Sequence, residues 1–485
     1  MGFWKYVVSF PRDVRDDLRM NKTQALIFFT SWFCWTIGSM HYFLLSYTMP
    51  ALAKELNVEQ SKIAQANTTT MIVRALGSVI FGVVSDQFGR RIPMLVNIAL
   101  MGIFTLCTGF IKTYGQLVGV RLLYGVAYGG LYGTTMATLL EAVPRRSRGT
   151  VAGFTQQGFS AGFILASGFN LATNKYGWRP IYYLGGGLTV VAFVLRLITP
   201  TYSVASEAIR EAEGIDVVDD RAQVGGNIPF LTKFRYAFRK HWPIFVYCTV
   251  LSSCLNTLGH GQMDVYPSFL QTQKGLDVRH ETWITVIMQS GGIIGGVLGG
   301  YFSKYSPKWV PTIAALFMAP WLPLWTRPND WRLLAVGAFF LEIGYGAAIG
   351  TLGNILQMVC PHPGIRGAFG GVTYNLGNAV SSVAPTIETK LGERWPTANG
   401  KPDYGRIQRD TLLIGFLVIT LVCMPTKNVN LEWDLEDPNQ IIPSILPTTK
   451  KANGSIHEEE PSNTIDEKPE NESKAVGSNH VETIG

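Results

Sequence analysis

The sequence predicts an all-α integral membrane protein with twelve transmembrane helices arranged in two bundles of six. The composition is 47% hydrophobic and 15% charged, which lies outside the usual range of soluble enzymes. Twelve segments are mostly apolar over about the 20 residues that a helix needs to cross a bilayer. A polar stretch at 200–242 separates the first six of these segments from the last six.

The predicted spans divide the chain into five regions. A segment at 1–24 precedes an N-terminal bundle at 25–199, and a central loop at 200–242 leads into a C-terminal bundle at 243–426. The tail at 427–485 is rich in Pro, Asn and Glu and has no apolar periodicity, so we expect it to be disordered. The predicted helices lie at 25–48, 68–86, 93–111, 115–139, 149–173, 178–199, 243–265, 282–302, 309–326, 332–353, 366–388 and 411–425.

The basic residues predict the orientation of the chain in the membrane. The formal net charge is +7, and the bases cluster in loops between apolar segments, whereas the tail is acidic. This pattern follows the positive-inside rule and does not resemble a nucleic-acid-binding surface. We therefore expect both termini and the central loop to face the cytoplasm. The bases that set this orientation are Arg90, Arg91, Arg145, Arg146, Arg148, Lys233, Arg235, Arg239 and Lys240.

A motif after the second predicted span indicates a gate. It reads Gly82-x-x-x-Asp86-x-x-Gly89-Arg90-Arg91, and its acid and two bases can form an ion-pair latch that breaks when the two halves rock apart. The alternative is a loop whose bases only set topology. The corresponding loop of the second half, 300–308, lacks both the acid and the paired arginines, which predicts a weaker latch there.

A second candidate gating element follows the fourth predicted span. Glu141 ends that span, and Arg148 follows it after a proline and two further arginines. The glutamate is placed to pair with a nearby arginine. We therefore add Glu141 and Arg148 to Asp86, Arg90 and Arg91 as candidate gating residues.

We single out five ionisable residues inside predicted spans, because a charge there costs roughly 2.5 to 3.5 kcal/mol on insertion scales. They are Arg74, Arg121, His260, Asp264 and Glu342. Two guanidinium groups at similar depth can form forked hydrogen bonds with a carboxylate substrate. Alternatively, Arg74 and Arg121 pair with Asp264 or Glu342 and only hold helices together. The sequence leaves both interpretations open.

Asn256, His260 and Asp264 recur at four-residue spacing, so they form one polar stripe on the seventh predicted helix. A histidine titrates near neutrality, and a neighbouring carboxylate favours its protonated form. The pair is therefore a candidate for proton coupling, with Glu342 as a further candidate. Asn256 and His260 are also candidate substrate contacts.

Glycines repeat at every fourth residue in three predicted helices. Such ridges let helices approach closely, and we interpret them mainly as packing surfaces, although the sliding contacts of a rocking protein need them too. The repeats comprise Gly125, Gly129 and Gly133, then Gly158 and Gly162, and finally Gly292, Gly296 and Gly300.

These motifs resemble the major facilitator superfamily, and within it the fungal lactate/pyruvate permeases and the bacterial sialic-acid symporters. The resemblance is visible in MIVRALGSVIFGVVSD, GVRLLYGVAYGGLYG, TQQGFSAGF and VTYNLGNAVSSVAPTIE, and in the stripe of the seventh helix. It implies the major facilitator fold. Gln157 and Asn378 lie in these segments and are further candidate substrate contacts.

The chain also departs from the pattern of the permease group. In the seventh helix, Gly259, Gln262 and Met263 differ from the hallmark, whose glutamine is lost at Met263. In the first helix, Gly38 and His41 stand where relatives carry acids. These changes bear on substrate identity and on the location of proton coupling.

The resemblance implies a secondary active transporter that takes up a small monocarboxylate such as lactate or pyruvate with protons, at the plasma membrane. The alternatives are a carrier of a dicarboxylate, sugar acid or other small organic solute, or a transport-inactive nutrient sensor. No catalytic motif appears, so we expect no enzyme activity, no catalytic residues, no metal and no cofactor. The expected partners are the organic anion, protons and lipid, with no nucleic acid, and the tail is a candidate binding segment for ubiquitin or trafficking machinery. The sequon at Asn67 lies at the edge of a span, and we expect it to be unglycosylated.

Overall fold

Helices make up nearly all of the structure, a computed structural model that describes residues 2–143, 147–200, 230–305, 307, 309–361, 365–398 and 400–422. Within these ranges the only strand-like pairing is an isolated bridge between Pro396 and Pro402. Most of the central loop, the tail from 427 to 485, Arg145 and Arg146 lie outside the described residues, and so do the expectations about them.

The N-terminal half contains eight helices, and its six predicted spans all coincide with helical structure. The helix α2 begins where Asn21 accepts a hydrogen bond from the backbone of Gln24 at 2.8 Å and the Gln24 side chain accepts one in return at 3.1 Å, a capping box. Thr113 and Gln116 start α5 in the same way. The helices are α1 (Gly2–Asp17), α2 (Lys22–Glu55), α3 (Gln60–Phe88), α4 (Arg91–Thr108), α5 (Tyr114–Glu141), α6 (Arg148–Gln156), α7 (Gly158–Thr173) and α8 (Arg179–Ile198).

The C-terminal half repeats this plan with more interruptions. Its helices are α9 (Phe230–Met263), α10 (Val278–Ser303), α11 (Trp309–Met318), α12 (Leu322–Thr326), α13 (Trp331–Gly350), α14 (Leu352–Met358), α15 (Arg366–Ser381), α16 (Ala384–Arg394) and α17 (Tyr404–Val422). Short helical turns lie at Tyr266–Ser268, Phe269–Gln273 and Ala319–Trp321, and another, Asn174–Tyr176, lies in the first half.

Some boundaries differ from the sequence prediction. The helix α9 begins at Phe230 and bends at His241, whose φ of −121° and ψ of 26° are not helical, so the segment 230–242 is helical and not a loop. Likewise, 2–17 within the N-terminal segment is a helix. Four predicted spans are each divided into two helices or more, because proline or local backbone bending breaks the hydrogen-bond ladder.

Among the residues that the structure describes, five helical segments are long and apolar enough to cross a membrane by length and composition. These are Ser61–Phe88, Arg91–Thr108, Arg179–Ile198, Val278–Ser303 and Trp331–Met358. They include spans from both halves, as the hydropathy of the sequence predicts.

The halves meet along two seams. In one seam α3 and α5 pack against α15, and in the other α6 and α7 pack against α10. Glycines bring the backbones into contact there: a Cβ on Gly133 would lie 2.5 Å from the Gly367 carbonyl oxygen, and a Cβ on Gly153 would lie 2.4 Å from that of Gly296. We call the face of the bundle that holds Arg90 and α1 the latch face, and at this face the halves are closed.

Candidate functional site

A hydrogen-bonded network of four buried side chains joins the two halves at the middle of the bundle. Tyr42 from α2 donates its hydroxyl hydrogen to Asp264 Oδ2 at 2.8 Å. The same oxygen lies 2.8 Å from Nδ1 of His260, one turn earlier in the chain. On the other side of the ring, His260 Nε2 lies 3.3 Å from Asn378 Oδ1 of α15. The predicted stripe therefore contacts both halves.

The chemistry of each partner indicates which atoms of this network donate and which accept. The Asn378 amide nitrogen donates to the Tyr374 carbonyl oxygen at 3.0 Å, which turns the amide oxygen toward His260. An amide oxygen only accepts, so Nε2 carries a hydrogen. Nδ1 and the Asp264 carboxylate need one further hydrogen between them. The short distance between Nδ1 and Oδ2 is one that a single proton can bridge.

This network opens onto a cleft between the halves, on the face opposite the latch face. The cleft holds about 540 Å³ of free space, part of it open to solvent. Tyr42 and Asp264 form part of its wall, together with Ser46, Asn67 and Ser382. The cleft therefore leads to the Asp264 side chain.

Two buried arginines lie in the N-terminal half, beside aromatic rings. The Arg74 guanidinium carbon lies 3.9 Å from the centre of the Tyr128 ring, and Nη1 lies 2.9 Å from the Met71 sulfur. The Arg121 guanidinium carbon lies 5.3 Å from the Tyr124 ring centre. Both side chains are at most 3% exposed.

Neither arginine forms an ion pair with an acid of the described chain, and Nε and Nη2 of both lack a hydrogen-bond partner there. The interpretation in which they pair with Asp264 or Glu342 therefore finds no support in this conformation. A buried cation without an anion is costly. A bound carboxylate would supply the missing acceptors, although neither arginine lines the cleft in this conformation.

The side-chain amides of two other predicted substrate contacts, Asn256 and Gln157, hydrogen-bond within the protein. Asn256 donates its amide to the Ser252 carbonyl oxygen at 2.8 Å. Gln157 donates to the Gly346 carbonyl oxygen across the seam at 3.4 Å and accepts from Ser160 at 3.0 Å. Gln157 thus lies where the two halves touch, and it is not one of the four side chains of the His260 network in this conformation.

Two carboxylates of the C-terminal half, Glu342 and Glu388, are 0% exposed. Glu342 lies against Gly292 and Ser160 at the seam, since a Cβ on Gly292 would be 3.2 Å from its Oε1 and 2.9 Å from the Ser160 hydroxyl oxygen. Glu388 was missed by the sequence reasoning. Its Oε1 would lie 3.0 Å from a Cβ on Gly261 of α9, and it interacts electrostatically with Asp264. A search for acids at the ends of spans would have found it, because it closes the eleventh predicted helix.

The predicted gating residues form an ion-pair cluster at the latch face. Arg90 pairs with Asp86, and its Nη2 lies 3.0 Å from Glu141 Oε1. It also donates to the Ser85 hydroxyl at 3.0 Å. The other Asp86 oxygen accepts a hydrogen bond at 2.9 Å from the backbone N–H of Ala368, in the opposite half. The cluster therefore ties α3 to the start of α15.

The remaining gating candidates have other positions. Arg91 donates to the Leu197 carbonyl oxygen at 2.6 Å, within its own half. Arg148 is half-buried at the start of α6, while Glu141 is paired with Arg90. Of the five candidates, Asp86 makes a hydrogen bond to the opposite half, and Arg90 and Glu141 support it.

Comparison with known proteins agrees with this architecture. Residues 25–385 match the Major Facilitator Superfamily. The chain is 27% identical to a carboxylic acid transporter protein homolog of Saccharomyces cerevisiae over 85% of this chain and 69% of that one. It is 21% identical to a sialic acid transporter of Escherichia coli over 77% and 88%.

Among solved structures, the chain resembles the human organic anion transporter MFSD10 with a TM-score of 0.62 and 13% identity, over 82% of this chain and 100% of that chain. At this identity the likeness shows the fold alone. Together with the family match over three quarters of the sequence, it confirms the predicted all-α fold and the absence of an enzyme function. The chain belongs to the major facilitator superfamily and is a multi-pass membrane transporter.

Proposed function

We propose that this transporter couples the uptake of a small monocarboxylate, such as lactate or pyruvate, to protons by alternating access at the plasma membrane. In this proposal the latch face and both termini lie in the cytoplasm, and the cleft faces outward. The similarity to a carboxylic acid transporter homolog supports the substrate class. The positive-inside pattern of the loops supports the orientation.

The observation that carries the proposal is the buried hydrogen-bonded pair of His260 and Asp264. The pair lies at the wall of the cleft, and Tyr42 of the opposite half donates to the same carboxylate oxygen. When the halves rock, the Tyr42 contact changes, so the hydrogen bonds made by the pair differ between the two conformations. Such a difference is what couples proton binding to alternating access.

Arg74 and Arg121 are the proposed anion-binding groups. Each holds unused guanidinium donors, and the planar fork of arginine matches a carboxylate. The rings of Tyr128 and Tyr124 hold the guanidiniums in place by cation–π contact. A substrate carboxylate that moves inward from the cleft would exchange water for these donors.

The latch of Asp86, Arg90 and Glu141 is proposed to hold the cytoplasmic face closed while substrate enters from outside. Arg91 and Arg148 flank it and are proposed to support it from within the N-terminal half. Glu342, without a hydrogen-bond partner among the described residues, is a second proposed proton site.

The test is uptake of radiolabelled lactate, pyruvate, succinate and a neutral sugar into transporter-null cells at pH 5 and pH 7. We expect lactate or pyruvate to accumulate more at the acidic pH, and an uncoupler to abolish the difference. Accumulation of succinate alone would instead support a dicarboxylate carrier. Uptake that is insensitive to pH and to the uncoupler would refute proton coupling, and no uptake of any organic acid would refute the substrate class.

A further inference from the structure

The N-terminal helix α1 touches both halves of the transporter at the latch face. Its last residue, Asp17, is 2% exposed. One oxygen of this carboxylate, Oδ2, accepts a hydrogen bond at 2.7 Å from the hydroxyl of Thr150, which belongs to α6 in the N-terminal half. The same oxygen pairs with the ammonium group of Lys304, which follows α10 in the C-terminal half.

These contacts cross the seam beside a close approach of α6 and α10. A Cβ on Gly149 would lie 2.7 Å from the Gly300 carbonyl oxygen, so the backbones of α6 and α10 touch beside Asp17. When the latch face opens, these two backbones must separate. Thr150 and Lys304 then cannot both reach one carboxylate oxygen, and at least one contact to Asp17 breaks.

The position of Lys304 corresponds to that of Asp86 in the first half. Asp86 follows Gly82 by four residues, and Lys304 follows Gly300 by four residues. In the first half an acid at this position binds the opposite half through the Ala368 backbone. In the second half a base stands there, and the acid comes from α1.

Two further contacts fix α1 on the end of α10. Tyr301 donates its hydroxyl hydrogen to Asp13 Oδ2 at 2.8 Å. The Phe10 ring packs edge-on against the Tyr301 ring with centroids 5.0 Å apart, and it stacks on the Phe302 ring at 6.2 Å. Because several side chains of α1 share this docking site, Asp17 is held in place before it meets Lys304.

We propose that Asp17 is a gating residue that α1 supplies to the second seam, where it replaces the acid missing from the loop at 300–308. It favours the conformation in which the latch face is closed, and its contacts are released when that face opens. The proposal rests on the family's alternating movement of two halves and not on the identity of the substrate.

The test is the reactivity of a cysteine at the closed seam. Ala152 is fully buried. It faces α14 of the opposite half, since a Cβ added to Gly353 would lie 3.6 Å from the Ala152 Cβ. The full-length Ala152→Cys protein in nanodiscs is labelled with a polar maleimide. The labelling rate of the protein with Ala152 intact is subtracted as background. In nanodiscs the reagent reaches both faces.

Asp17→Asn in this protein should raise the labelling rate at least about fivefold, the lower end of typical coupling effects. Asp16→Asn is the matched control, because Asp16 is the preceding residue and only approaches the exposed bases Arg15 and Arg19 at 4.0 Å. It should leave the rate within about twofold, since surface pairs contribute little.

Lys304→Gln removes the partner of Asp17 without shortening the side chain much, and it should raise the rate as Asp17→Asn does. Size-exclusion chromatography and thermal unfolding identify which of the two variants is folded. A folded variant that is labelled at the rate of the Asp16→Asn control overturns the proposal. If both are unfolded, Asp17 is a folding residue and the gating proposal is equally wrong.

Discussion

Replacing Gly133 with alanine should destabilise the closed latch face without unfolding either half. A Cβ at this position would lie 2.5 Å from the Gly367 carbonyl oxygen, and ordinary contact begins near 3.4 Å. The seam must therefore widen by about 0.9 Å, the difference between these values. The atom in the way belongs to the backbone and not to a flexible side chain, so it cannot rotate aside.

Overpacking of this kind costs roughly 1–3 kcal/mol, and it acts only when the latch face is closed. The helix-forming advantage of alanine over glycine, about 1 kcal/mol, acts in both conformations and cancels. The equilibrium should therefore shift toward the open latch face by about 5- to 150-fold. In the Ala152→Cys protein, the maleimide labelling rate should rise accordingly while the thermal unfolding temperature changes little.

Two other glycines serve as controls for the Gly133→Ala variant. A Cβ on Gly129 would lie 2.0 Å from the Arg74 carbonyl oxygen, within the same half, so Gly129→Ala should impair folding in every conformation. Gly187 has nothing within 4 Å of its Cβ position, and Gly187→Ala should change neither labelling nor stability. The reasoning is refuted if Gly133→Ala leaves labelling unchanged, or if it lowers the amount of folded protein as Gly129→Ala does.

Three further outcomes are expected. Arg74→Ala and Arg121→Ala should each lower uptake of the anionic substrate at least about tenfold, because a charge-assisted hydrogen bond is lost. The amount of protein at the cell surface should not change, and Arg→Lys should restore uptake in part. Loss of surface protein from both alanine variants would favour a purely structural role. The Arg179 side chain hydrogen-bonds to Glu55 and holds the pKa of that carboxyl below its usual value. This contact therefore stabilises the fold above about pH 4.3. The stabilisation is lost as the pH falls through the lowered pKa. Glu55→Gln should therefore slightly reduce the difference in unfolding temperature between pH 7 and pH 3. The effect is small because both side chains are partly exposed. An unchanged difference would contradict this. The Asn67 side chain, 7% exposed in the cleft wall, should carry no glycan, and a glycosidase-sensitive mass shift that disappears in Asn67→Gln would show otherwise.

Features that depend on local sequence were predictable. Hydropathy located long apolar helices in both halves, because burial in a bilayer demands a long apolar run, and five helices of the described residues meet the length and composition that spanning requires. The spacing of Asp86 and Arg90 predicted an ion pair within one loop, and the four-residue spacing of His260 and Asp264 placed both on one side of a helix. Each of these inferences needs only the geometry of a single helix or loop.

Features that depend on contacts between distant elements were not predictable. Asp17 lies in the segment 1–24, for which the sequence predicts only a cytoplasmic location, and its partners come from two different halves. Tyr42 reached the His260 network from a helix whose expected acids are absent. The surroundings of Arg74 were also open, because the choice between a carboxylate and the Tyr128 ring depends on how helices pack.

The most direct test of the account compares two assays of Asp264→Asn in liposomes that contain the full-length protein. One assay measures accumulation of the substrate, identified in the uptake panel, against its gradient when an inward proton gradient is applied. The other measures exchange of labelled for unlabelled substrate, which requires binding and alternation but no net proton movement. Asp410→Asn is the control, since Asp410 is half exposed and approaches Arg406 only at 3.8 Å.

Our account predicts that Asp264→Asn abolishes proton-driven accumulation and preserves exchange, because the amide cannot take up the proton that His260 and Asp264 share. Asp410→Asn should retain both activities. Proton-driven accumulation that persists in Asp264→Asn would contradict the central claim that this buried pair couples the transporter to protons.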